Sequence, residues 1–114
     1  MSIEYRVLFR ACDKVESVHK NRRPFGLSKI QTIKVSFYSL YQAIQREKYK
    51  IVIIGDDLSL ELLDFFKDFD DVVVDNEKLG SAAKSLQKQI DLSLNTPDDE
   101  WVYMCEDDYL HTPY

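Results

Sequence analysis

Glycine, proline and cysteine are scarce in this sequence, with three, three and two residues among 114. So few glycines and prolines argue against long disordered segments. Two cysteines, Cys12 and Cys105, are too few and too far apart for a zinc module, and we expect both to be reduced and to act as small buried hydrophobic residues. No apolar run approaches the ~18 residues of a membrane-spanning helix, and the N-terminus lacks the pattern of a signal peptide. These absences predict one cytoplasmic domain over residues 1–114.

Basic residues are outnumbered, with 15 Lys and Arg against 20 Asp and Glu, a net charge of −5. Nucleic-acid-binding proteins normally concentrate Lys and Arg on one face, so the acidic balance predicts that the chain does not bind nucleic acid. Hydrophobic residues make up 45% of the chain. A domain of this size buries roughly two-thirds of the surface that its unfolded chain exposes, which suffices for a core without disulfides or metals.

Two kinds of hydrophobic pattern alternate along the chain. Short β-branched or alternating runs predict strands, and apolar residues spaced by three and four predict helices. Ser28 and Gln31 have the spacing of a capping box at a helix start, and Ser59 can cap the next helix. In the third helix, Ala83, Leu86, Ile90 and Leu94 share one side. The predicted strands cover residues 5–11, 51–54, 72–74 and 101–105, and the predicted helices cover residues 28–46, 59–69 and 81–94.

This β-α-β-α-β-α-β order predicts an α/β fold with an open parallel sheet, because parallel strands need long crossover connections. We expect the strand order 3-2-1-4, for which right-handed crossovers place two helices on one face and one on the other. One sheet face and the strand-4 edge would then be incompletely covered. We therefore expect an apparently truncated fold whose exposed face is covered by a second copy or by another chain.

Acidic residues follow all four predicted strands. They are Asp13 after strand 1, Asp56 and Asp57 after strand 2, residues 75–77 after strand 3, and residues 106–108 after strand 4. Ligands of open parallel sheets bind at the carboxyl ends of the strands, and hard divalent cations prefer oxygen ligands. The pattern predicts a Mg²⁺ or Mn²⁺ site, although Asp is also common in ordinary turns and helix caps.

Three segments resemble the N-terminal, nucleotide-sugar-binding half of an A-type glycosyltransferase of the broad family-2 kind. Residues 51–59 (IVIIGDDLS) are similar to that family's second strand and its acidic turn. Residues 76–84 (NEKLGSAAK) are similar to the turn and small-residue helix after its third strand. Residues 101–108 (WVYMCEDD) resemble the strand that delivers the Asp-x-Asp motif. The resemblance spans nearly the whole chain, and its last segment is the most specific.

The resemblance implies a role for each matching position. Asp108 would coordinate the metal on the diphosphate. Glu106 stands where the family usually has its first Asp, near the ribose and the metal shell. Asp56 or Asp57 would accept hydrogen bonds from the nucleotide base.

The turn and helix after strand 3 resemble the family's, which implies that Gly80 and Lys84 belong to the nucleotide site. Lys84, Arg22 and Arg23 could contact the phosphates. The donor implied is a nucleoside diphosphate sugar, with a UDP-sugar favoured, and the cofactor is Mn²⁺ or Mg²⁺. The family's acceptor site and catalytic base follow the Asp-x-Asp strand, so we expect the chain to supply the donor-binding part alone.

Other functions fit the sequence less well. A non-catalytic nucleotide-binding or interaction module that completes its fold with a partner chain remains the main alternative. A receiver-like signalling domain would need a fifth strand and a Lys after its last strand, and a dinucleotide-binding domain would need a G-x-G-x-x-G turn after strand 1. His111 could be a further metal ligand, and Trp101, Tyr103 and Tyr109 could stack on a base or sugar.

Overall fold

The computed structural model describes residues 3–13 and 26–111. Arg22 and Arg23, expected above to contact phosphates, lie outside these ranges. None of the helices in the described ranges is both long and apolar enough to span a bilayer. The elements, in chain order, are β1 (Tyr5–Ala11), α1 (Lys29–Ile44), β2 (Tyr49–Asp56), α2 (Leu60–Phe66), β3 (Val72–Glu77), α3 (Ala82–Leu94) and β4 (Trp101–Glu106).

The four strands form one parallel sheet in the order β3-β2-β1-β4, which confirms the predicted topology. The central strand β1 pairs with β2 on one side and with β4 on the other. The chain therefore steps in one direction from β1 to β3 and then returns past β1 to β4. The direction of stepping reverses between β1 and β4, which is where ligands of such sheets usually bind.

One face of the sheet carries the hydrophobic core, beneath α1 and α2. Phe37 of α1 is fully buried, with its ring centroid 5.0 Å from that of Phe66 and 4.8 Å from that of Phe69. Phe9 meets the Phe37 ring edge to face at 5.8 Å. Fully burying each such side chain contributes about 1.5–3 kcal/mol, so this face is the main source of stability.

The predicted helix caps are present. Ser28 Oγ accepts from the Gln31 amide at 3.1 Å, and Gln31 Oε1 accepts from the Ser28 amide at 2.9 Å. This reciprocal capping box fixes the start of α1. Ser59 caps α2, and Ser81 caps α3. The caps begin α1 and α3 at the carboxyl edge of the sheet, directly beside the strand ends.

The opposite face is covered by α3 in a different way. The buried residues of α3 are Ser85 and Gln89, both polar, whereas the apolar side noted in the sequence is largely exposed, with Leu86 43% and Leu94 78% exposed. Gln89 Nε2 donates to the carbonyl oxygen of Leu8 at 2.8 Å. These bonds compensate the burial of a polar amide, so this helix packs through hydrogen bonding rather than through its apolar stripe.

Two charged contacts complete the packing of α3. Lys88 Nζ lies 2.7 Å from Asp75 Oδ1 and 2.8 Å from Glu77 Oε1, which ties the helix to the end of β3. Burial alone would lower the pKa of Lys88, but hydrogen bonds to the two carboxylates raise it overall. The ammonium group therefore stays charged, and α3 is held with its first turn beside the ends of β1 and β4.

Candidate functional site at the carboxyl edge of the sheet

A cavity of about 240 Å³ lies at the carboxyl ends of β1, β2 and β4, between the first turns of α1 and α3. It therefore occupies the point where the strand order reverses. Ligand sites of open parallel sheets form at this position because two neighbouring loops diverge there. Its charged lining residues are Arg10, Lys29, Asp56, Glu106 and Asp107.

Arg10 and Glu106 form an ion pair across the end of the β1–β4 ladder. They are register partners on the two strands, and Arg10 Nη2 binds Glu106 Oε1. Arg10 Nη1 also donates to the carbonyl oxygen of Ala82, the first residue of α3, at 3.3 Å. The Arg10 side chain is 14% exposed, but that of Glu106 is 46% exposed. The cation is thus the more buried member of the pair and has a second contact, whereas the carboxylate is half-exposed.

Asp107, in the turn after β4, joins three parts of the site. Its Oδ2 accepts from the Cys12 amide at 3.1 Å, and its Oδ1 accepts from Lys29 Nζ at 3.2 Å. Desolvation by burial raises the pKa of Asp107, against the opposing effects of Lys29 and the Cys12 amide. The carboxylate links the end of β1, the start of α1 and the end of β4, so it holds the shape of the cavity.

Asp56, the last residue of β2, anchors the loop between β3 and α3. Its Oδ1 accepts from the amides of Leu79 and Gly80 at 2.8 and 3.0 Å. Gly80 has a φ of +84°, a backbone conformation that favours glycine. Two residues expected at the nucleotide are therefore bonded to one another, and Asp56 also lines the cavity.

The other predicted residues lie outside the cavity lining. Asp57 is exposed and has a φ of +51°, and Lys84 is exposed in the first turn of α3. Asp108 is exposed in the turn that follows β4. Of the acidic triplet at residues 106–108, the first two members face the cavity and the third lies beyond it.

Few side chains in the described ranges are placed to bind a metal ion. No group of three or more His, Cys, Asp or Glu side chains there is arranged to hold an ion. Glu106 and Asp107 are each bonded to a cationic side chain, whereas Asp108 is exposed. Mg²⁺ commonly binds to one or two carboxylates and completes its shell with substrate phosphates and waters. The described residues therefore provide no ion site enclosed by protein side chains.

His111 contacts β4 and α1. Its Nε2 is 2.8 Å from Tyr103 Oη, and its amide donates to Ser39 Oγ at 2.9 Å. Burial lowers its pKa, so the imidazole is neutral at pH 7. These bonds attach the segment after β4 to α1. Trp101, named above as a residue that could stack on a base or sugar, is 74% exposed on the edge strand β4.

The two cysteines occupy different environments. Cys105 is buried in β4, and burial raises the pKa of its thiol to about 12. This agrees with its expected role as a small buried hydrophobic residue. Cys12 is only partly buried and lines the cavity, where its backbone amide donates a hydrogen bond to Asp107.

Sequence reasoning missed Arg10, Lys29 and Asp107 as individual site residues. Arg10 is the only charge in the second half of β1, and β4 ends in the oppositely charged Glu106. Given the predicted pairing of these two strands, that charge pattern could have identified the ion pair. Lys29 follows the predicted cap residue Ser28, a position that the topology places at the carboxyl edge.

Comparison with known proteins identifies no relative. No protein-family model matches the chain, and neither the curated proteins nor the solved structures give a significant match.

Proposed function

We propose that the chain is the donor-binding part of a glycosyltransferase that transfers a sugar from a nucleoside diphosphate sugar, with a UDP-sugar favoured, in a divalent-metal-dependent reaction. The observation that carries the proposal is the cavity at the reversal of strand order, which has Arg10 and Lys29 in its lining and Glu106 and Asp107, the residues directly before Asp108, at its β4 end. Cationic side chains suit the phosphates of such a donor, and the neighbouring carboxylates suit its cation and its hydroxyl groups.

Asp108 would hold the Mn²⁺ or Mg²⁺ ion together with the donor's phosphate oxygens. A bound divalent ion would stabilise the negative charge that develops on the leaving nucleoside diphosphate. Asp107, bonded to Lys29 and to the Cys12 amide, would keep the turn that carries Asp108 in a fixed position. Preorganisation of this kind reduces the cost of ordering the site when the donor binds.

Asp56 is the better placed of the two base-binding candidates, since it lines the cavity. A carboxylate has about four acceptor positions, so two amide donors do not exhaust it. Its bonds to Leu79 and Gly80 would orient the remaining lone pairs toward the base. Asp57 and Lys84, both exposed, would contact the donor only at the mouth of the site.

A thermal-shift matrix tests the proposal. We expect UDP or a UDP-sugar to raise the melting temperature only when Mn²⁺ or Mg²⁺ is present, because a ligand that binds only the folded state stabilises it. Asp108→Asn should remove the metal dependence. Asp99→Asn is the matched control, because Asp99 is an exposed carboxylate in the loop before β4, at the opposite end of that strand.

Three outcomes would decide between the candidates. No shift with any nucleotide and ion would contradict the proposal. Metal dependence that survives Asp108→Asn would remove Asp108 from the ion site. A nucleotide shift that is independent of metal would instead favour the non-catalytic nucleotide-binding module.

A further inference from the structure

We propose that Arg10 is the contact for a phosphate-class anion in the cavity, and that Glu106 is an internal counter-ion that holds Arg10 in the free protein and is displaced when the anion binds. The inference deepens the proposed function and rests on it, since the diphosphate of the donor would be that anion. It assigns Glu106 a role opposite to that of a ligand-binding carboxylate, because Glu106 would compete with the donor.

Arg10 has unused hydrogen-bonding capacity. A guanidinium carries five N–H groups, and within the described residues Arg10 donates one from Nη2 to Glu106 and one from Nη1 to Ala82. Its Nε is buried and has no acceptor there. One N–H on each terminal nitrogen therefore remains for a ligand, in the planar arrangement that matches two phosphate oxygens.

The two ends of the β1–β4 ladder show which ion pair can open. At the amino end, Arg6 binds both oxygens of Glu100, at 2.9 and 3.3 Å, and the Glu100 side chain is only 8% exposed. At the carboxyl end, Arg10 binds one oxygen of Glu106, which is 46% exposed. A half-exposed carboxylate can turn into solvent, so opening the second pair costs little when an incoming anion takes the place of Glu106 beside the buried Arg10. Opening the first pair would leave the buried Glu100 carboxylate without its cation.

Lys29 and Asp107 complete the anion site without sharing this behaviour. Asp107 is the more buried member of that pair, with its side chain 12% exposed, and it also accepts from the Cys12 amide. It is therefore held in place, and Lys29 Nζ keeps two of its three donors for an anion. Displacement of Glu106 would leave two cations, Arg10 and Lys29, in the cavity lining with two carboxylates, Asp56 and Asp107, that backbone amides hold in place.

The test is titration calorimetry with inorganic pyrophosphate at about 0.15 M ionic strength in the presence of EDTA. We expect Glu106→Gln to bind pyrophosphate about twofold to tenfold more tightly than the unmodified chain, because Arg10 no longer has an internal partner. Arg10→Gln should bind it roughly tenfold or more weakly. UDP should follow the same order, whereas uridine, which lacks phosphate, should be insensitive to both substitutions.

Two matched controls remove the same charges elsewhere. Glu77→Gln deletes a half-exposed, ion-paired carboxylate at the end of β3, on the same sheet edge but outside the cavity lining. Arg6→Gln deletes the arginine at the other end of β1. Both should leave pyrophosphate affinity within about twofold, since exposed charges at a distance are largely screened.

Several results would overturn the inference. These are weaker or unchanged pyrophosphate binding by Glu106→Gln, an unchanged affinity in Arg10→Gln, and the absence of pyrophosphate binding by every variant. If Arg10→Gln fails to fold, the sign of the Glu106→Gln effect still decides. Because these titrations contain no metal and need no sugar nucleotide, the anion site can stand while the glycosyltransferase proposal fails, and the reverse also holds.

Discussion

The two faces of the sheet are packed by different interactions. Beneath α1 and α2, the contacts are almost wholly apolar, and Phe9, Phe37 and Phe66 are buried to within 1%. Beneath α3, the buried helix residues are Ser85 and Gln89, and the helix is held by hydrogen bonds and by Lys88. The first face supplies stability. The second face positions the helix that borders the cavity, and substitutions on each face test this difference.

The largest loss of stability is expected from Phe37→Ala. Phe37 is fully buried and contacts Phe9, Phe66 and Phe69, so its truncation should cost about 3–5 kcal/mol of unfolding free energy. Urea unfolding would measure it. Leu86→Ala on α3 is the control and should cost less than about 1 kcal/mol, because Leu86 is 43% exposed. Equal losses in the two variants would contradict the contrast between the faces.

An intermediate loss is expected from Gln89→Leu. The Gln89 amide bonds the carbonyl oxygens of Leu8 and Cys105, at 2.8 and 3.3 Å, and leucine cannot replace either bond. We expect a loss of about 1–3 kcal/mol in urea unfolding. Gln87→Leu is matched to it, because Gln87 is exposed and bonds only Asp91 in the described ranges. A Gln89→Leu chain as stable as the Gln87→Leu chain would show that α3 does not depend on this contact.

A smaller, pH-dependent effect is expected at Asp107. Burial raises its pKa in the folded chain, so its contribution to stability is complete below its unfolded pKa and is lost as pH rises through the folded one. The unfolding free energy of the unmodified chain minus that of Asp107→Asn should therefore fall as the pH rises above about 4. Asp99→Asn should give no such trend. A difference that grows with pH would mean that Lys29 and the Cys12 amide outweigh desolvation.

The smallest effect is expected from Leu94→Ser. Leu94 is 78% exposed at the end of α3, so the substitution should change the unfolding free energy by no more than about 0.5 kcal/mol. Urea unfolding would measure this too. A loss above about 1 kcal/mol would indicate that the apolar side of α3 is buried in solution.

The fold was largely accessible from the sequence, because its signals are local. Apolar periodicity placed all seven elements, and the Ser28–Gln31 spacing located the start of α1. For the expected strand order 3-2-1-4, the handedness of crossovers placed two helices on one face and one on the other. The orientation of α3 was not accessible. Its buried side is defined by backbone carbonyl oxygens of β1 and β4, which accept from Gln89 and leave no trace in a hydropathy pattern.

The candidate site was predicted in outline only. Strand alternation and the acidic turns located it at the carboxyl edge, and the cavity lies there. They could not decide which members of the triplet at residues 106–108 face inward, since the turn after Glu106 no longer follows the alternation of a strand. Nor could they reveal that Arg10 and Lys29 neutralise two of the carboxylates, because those contacts join residues 96 and 78 positions apart.

The ion pairs at the two ends of β1 and β4 have a consequence for how these distant strands find each other. A slip of β4 by one residue would exchange its two sides, and hydrophobicity would resist it. A slip by two residues would keep every side chain on its proper side, so hydrophobicity alone would tolerate it. That slip would separate Arg6 from Glu100 and Arg10 from Glu106 together. The ion pairs at both ends of the two strands thus select one register over a two-residue slip, which hydrophobic side chains alone would not do.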